Sequence, residues 1–121
     1  VKELFDLWIK DKRASVRMQT LRVFAVIIND VDEQFRDGFI LSKLLDVAKD
    51  LSSCTDPGQV EQAVMLILHC IHSVNNPSDK TVKDLIKPTV DIIRQYEIIA
   101  QDPKLEEVVQ KFDLDKGKRG K

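Results

Sequence analysis

The stretch TDPGQVEQAVMLILHCIHSV, residues 55–74, decides the fold class. The carboxylate of Asp56 can accept hydrogen bonds from the unpaired N–H groups of a first helical turn. Pro57, with its φ fixed near the helical value and no N–H to leave unpaired, suits the position after it. From there Val60, Ala63, Val64, Ile67, Leu68, Ile71 and Val74 recur at three- and four-residue steps, the row that one helix face presents to a core. A strand would alternate instead, so the stretch predicts a helix.

Working outward, the same period appears on both sides. Upstream, Phe35, Phe39, Ile40, Leu44, Leu45, Val47, Ala48 and Leu51 keep it as far as Ser52 and Ser53. An earlier series of Val16, Leu21, Val23, Phe24, Ala25, Val26, Ile27 and Ile28 is broken by Asn29 and Asp30. Its second half is apolar on every side, which predicts a helix sandwiched between neighbours. The β-branched cluster there would also suit a strand, but no alternation or turn signal accompanies it. Leu4, Phe5, Trp8 and Ile9 mark a short first helix. Downstream, Asn75, Asn76, Pro77 and Ser78 end the central helix and cap another over 79–100, with Val82, Leu85, Ile86, Val90, Ile93 and Ile99 inward. Pro88 lies inside that span, so a kink or break near Lys87, or two short helices, is expected. Asp102 and Pro103 repeat the start signal and open a short final helix with Leu105, Val108, Val109 and Phe112. The reading is all-α, five to six helices in a single domain over 1–114, followed by a disordered basic tail over 115–121 that has nothing to bury.

Composition agrees with a folded chain. Of 121 residues, 43% are apolar and 32% charged, enough burial to offset the ordering entropy of one domain. Nineteen basic and twenty acidic side chains nearly cancel, so no overall field draws the chain to nucleic acid or anionic lipid. Cys54 and Cys70 form no C-x-x-C pair, which points to reduced thiols and a cytoplasmic or nuclear setting. No apolar run approaches the roughly 18–20 residues of a membrane span, and no signal peptide is visible. Because residue 1 is Val, the chain is expected to be a piece of something longer.

Asp11, Asp56 and Asp102 each stand at a turn between an apolar helix and the next, 45 and 46 residues apart. Leu4, Leu7, Trp8, Asp11, Val16, Arg17, Leu21, Phe24, Ala25 and Ile27 follow the order helix, Asp-turn, Val-Arg, helix. This pattern resembles HEAT and armadillo-type helical repeats, whose periods of about 40–47 residues match. The resemblance implies a short right-handed α-solenoid of about two and a half helix pairs, with Asp11 and Arg17 in polar ladders between adjacent units. Glu61 and Glu106 stand where the later units would carry that Arg, so the ladder is incomplete.

Candidate chemistry is sparse. His69, Cys70 and His72 are the one cluster of metal-type ligands, but Cys70 points about 100° away from the face that His69 begins and no further His completes a tetrahedral set. Cys54 is separated from both histidines by most of a helix, some 20 Å at 1.5 Å per residue, so it forms no nucleophile–base pair with them. Gly38 and Gly58 stand alone, without a phosphate loop. No metal, cofactor or catalytic residue is assigned, and the chain reads as a non-enzyme. Helix pairs with wide apolar faces bury them by stacking, leaving the second helices as a binding surface. The expected function is a protein-binding scaffold for a partner helix or peptide, or for adjacent repeats of a parent protein. Its expected contacts are Arg13, Arg17, Thr20, Gln59, Gln62 and His69, with Phe5 and Trp8 as an apolar end anchor. Two other readings stand beside it: weak nucleic-acid contact through the basic first turn and tail, and a homodimer formed through Phe5, Trp8 and neighbouring apolar surface.

Overall fold

A computed structural model of the chain describes residues 3, 7, 14–53 and 56–114, and among these it is helical without strands. Helix α1 spans Ala14–Ile27 and buries Met18, Leu21 and Phe24, with Ile28 just beyond its end. Residues 33–53 form a second rod, α2, built from a turn Glu33–Phe35, a widened π turn Arg36–Ile40, the α-helical stretch Leu41–Asp50 and a tight last turn Leu51–Ser53. Asp32 caps α2 by accepting from Phe35 N at 2.8 Å. Helix α3, Pro57–Ser73, starts where the sequence places it, because Asp56 Oδ1 accepts from Gly58 N at 3.0 Å and from Gln59 N at 3.4 Å.

The fourth rod, α4, covers 79–93 as Asp79–Thr81, a second π turn Val82–Ile86, and Lys87–Ile93, with Ser78 capping Thr81 N at 3.1 Å. Two shorter helices follow, α5 at Glu97–Ala100 and α6 at Pro103–Phe112, the latter capped by Asp102 on Lys104 N at 2.9 Å. The end of α6 closes with Asp113 in the left-handed region at φ 58°. There Leu114 N donates to Val109 O at 3.0 Å and Asp113 N to Gln110 O at 3.4 Å. This pair of bonds satisfies the last carbonyls and folds the Leu114 side chain into the core.

Two expectations need correcting. Pro88 does not break α4 near Lys87; the rod is widened there by the π turn Val82–Ile86 but continues to Ile93, and the interruption falls at 94–96, between Ile93 and Glu97. In the turn ahead of Pro88, Lys87 N donates to Val82 O, five residues back, and this wider spacing takes up the missing N–H of the proline. The proline does not impose the wide turn, since Leu41 N donates to Arg36 O in the same way where Ser42 follows. Nor is α1 sandwiched on all sides. Val23 is 37% exposed and Val26 75%, so one apolar strip of this helix faces outward.

Helix α3 touches every other helix among the described residues. Val60, Ala63, Val64, Ile67, Leu68, Cys70 and Ile71 are all buried on it. At about 1.5–3 kcal/mol for each large side chain removed from water, this row outweighs any exposed ion pair at roughly 0.2–1 kcal/mol. Helices α1 and α3 run in the same direction: Arg17 and Met18 near the start of α1 lie by Gln59 and Ala63, while Asn29 beyond its end meets Ser73 and Asn75. Rods α2 and α4 do likewise, with Thr81 against Asp37 at one end and Ile92, Gln95 and Tyr96 beside Ala48, Lys49 and Ser52 at the other. Helix α6 packs along α3, where His72 Nε2 lies 2.6 Å from Glu107 Oε1 and Lys111 Nζ donates to His72 O at 2.8 Å.

Local structure also recurs along the chain. Asn29 and Asn75 are 46 residues apart. The same spacing separates the caps Asp32 and Ser78, the two π turns, and the Asp–Pro starts of α3 and α6. Buried positions follow the period: Met18 with Val64, Leu21 with Ile67, Ile28 with Val74, Ile40 with Ile86, Leu44 with Val90, and Val47 with Ile93.

Candidate interaction surface

Inward-facing residues of α1 leave Gln19, Arg22, Val23 and Val26 as an outward row, at steps of three, one and three. On α3 the neighbouring row is Gln62, Met65, Leu66 and His69, of which Met65 and Leu66 are half-buried against the core. Between them, and closed on a third side by Ile98 of α5, lies a groove of about 490 Å³ lined by Arg22, Gly58, Glu61, Gln62, Met65, Leu66 and Ile98. Its floor is apolar and its rim carries one guanidinium and one carboxylate. Among the described residues neither Arg22 nor Glu61 has an ion-pair partner. A surface of this kind offers hydrophobic contact together with two charges for orienting whatever lies on it.

The expected contact residues fall in different places. Gln62 lines the groove, and His69 is exposed one turn beyond Leu66 on the same helix. Arg17 and Gln59 lie behind it, around a small enclosed space shared with Met18, Leu21, Val47, Leu51 and Ala63. Arg17 Nε is buried there without a hydrogen-bond partner. Thr20 is turned inward at 2% exposure, and its hydroxyl donates to Val16 O at 2.8 Å, so it offers nothing to a partner. Phe5, Trp8, Arg13, Asp11 and the tail 115–121 lie outside the described residues.

Sequence reasoning missed Met65, Leu66 and Ile98. The available signal was their chemistry off the inward row: an apolar residue that the helical period leaves outside the core stripe is a surface contact in waiting. It also missed the polar joint between the two rods. Arg36, 7% exposed, holds Asp37 with Nε at 2.8 Å and Asn75 O with Nη1 at 2.9 Å. Thr81 donates to Asp37 at 3.0 Å, and Asn29 both donates to Ser73 O and accepts from Asn75 N.

A second groove of about 460 Å³, on the α2–α4 side, is lined by Ala48, Lys49, Ser52, Ile92, Gln95 and Tyr96. Among the described residues no group of three or more His, Cys, Asp or Glu is placed to hold a metal, and no helix is long and apolar enough to cross a membrane. Cys70 is buried behind α1, where its thiol donates to Leu21 O at 3.6 Å and burial pushes it up to about 12. A thiol held protonated in this way is no nucleophile at neutral pH. No family model matches the chain, and neither a curated protein nor a solved structure matches it.

Proposed function

We propose that this chain is a short right-handed α-solenoid, about two and a half HEAT- or armadillo-like helix pairs, and that it works as a protein-binding scaffold rather than an enzyme. A partner helix or extended peptide lies across the face made by the second helices α1, α3 and α6. Parallel neighbours at a 46-residue spacing and the stacking of each unit on the next support the architecture. The groove supports the function: half-buried Met65, Leu66 and Ile98 form an apolar floor where the second helices face outward, with Arg22, Glu61 and Gln62 at its edge. Grooves of this size and make-up suit the apolar side of an amphipathic segment.

Peptide display against the folded chain, followed by amide chemical-shift mapping, tests the reading. Selected peptides are expected to shift residues of α1, α3 and α5, and the variant Leu66→Gln with Met65→Gln should weaken them about tenfold or more while its melting curve stays cooperative. Peptides that shift only α2 and α4, or that bind the double variant unchanged, would overturn it.

A further inference from the structure

We infer that the partner lying on this groove is a second copy of the same chain, an inference that rests on the scaffold reading of the α1–α3 face. The groove carries Arg22 on one wall and Glu61 on the other, both exposed and both unpaired among the described residues. A two-fold axis through the groove brings Arg22 of each copy over Glu61 of the other, because in an isologous contact residue i meets j and j meets i. Both charges are answered at once, with no other chain required to supply them in the correct order.

The floor obeys the same symmetry. An axis passing near the floor brings the Met65, Leu66 and Ile98 surfaces of the two copies together, and the neighbouring strip of Val23 and Val26 extends the apolar patch across α1. Removing Val26 and its copy from water contributes favourably to association, whereas an isolated chain leaves it three-quarters exposed. A formal net charge of −1 leaves little repulsion between two copies.

Sedimentation equilibrium on the whole chain, at low salt, tests this with two single reversals. The unaltered protein is expected to dimerise as its concentration rises. Arg22→Glu and Glu61→Arg should each weaken the dimer about tenfold or more, because each places like charges opposite one another twice. An equimolar mixture of the two variants should associate again, since every facing pair is then of opposite sign, and the double reversal on one chain should do the same. Both positions are exposed, so all variants should keep the parent melting temperature. A strict monomer, single reversals without effect, or a mixture that fails to associate would each overturn the pairing. A strict monomer that still takes peptides into the groove would sink self-pairing alone; loss of peptide binding as well would sink the scaffold reading with it.

Discussion

Cys70 shows how strongly position governs the chemistry of one side chain. Fully buried between α1 and α3, its thiol keeps its proton up to about pH 12 rather than 9. In the folded chain at pH 8 it should resist iodoacetamide, and peptide mass spectrometry, which distinguishes it from Cys54, should find it modified only after urea is added. Rapid labelling without denaturant would contradict the burial. The same proton ties stability to alkaline pH. Below pH 9 the thiol is protonated in both states and contributes no slope. Between about 9 and 12 the unfolded chain releases its proton while the native state retains it, so this group lowers stability by up to about 1.4 kcal/mol per pH unit. Denaturant melts across that range should show a flatter slope for Cys70→Ala, despite the lower overall stability of the variant.

At the level of elements, the helix starts were legible because capping is a local code. Asp56 with Pro57 and Asp102 with Pro103 announce α3 and α6 within two residues each, and the inward row of α3 matches its burial throughout. The break expected at Pro88 falls elsewhere, and the wide turn ahead of it is not written in any residue type: Arg36–Ile40 and Val82–Ile86 share the geometry but little sequence. The outward strip of α1 was equally hidden, since Val23 and Val26 look like core until the position of α3 is known. The groove was half legible, with Gln62 found through helical spacing and Leu66 concealed by its chemistry. The wide turn before Pro88 leads to a definite expectation. If the turn relieves the proline, Pro88→Ala should change stability by less than about 1 kcal/mol, reflecting mainly the looser unfolded chain. A gain near 3 kcal/mol in a urea melt would mean that the ring strains a helix that would otherwise run straight.

For the whole molecule, the joint around Arg36 matters as much as the apolar rows. One guanidinium, 7% exposed, connects the start of α2 to Asp37 and to the Asn75 carbonyl, while Thr81 reaches the same carboxylate from α4. Arg36→Ala would leave the Asn75 carbonyl and Asp37 short of a partner, with an expected loss of about 2–3 kcal/mol in chemical denaturation. A loss under about 0.5 kcal/mol would show that water replaces the guanidinium freely. The uniform spacing of the contacts between elements has a kinetic meaning as well. The hydrogen bonds that join these helices close chain segments of 35 residues, from His72 to Glu107, up to 49, from Leu21 to Cys70. Loop-closure entropy changes little over such a narrow span, by well under about 0.6 kcal/mol. The joints at Asn29 and Arg36 need not wait for the far end of the chain. During synthesis Asn29 can find Asn75 as soon as that residue is free, long before α6 exists, so folding can advance unit by unit behind the growing end.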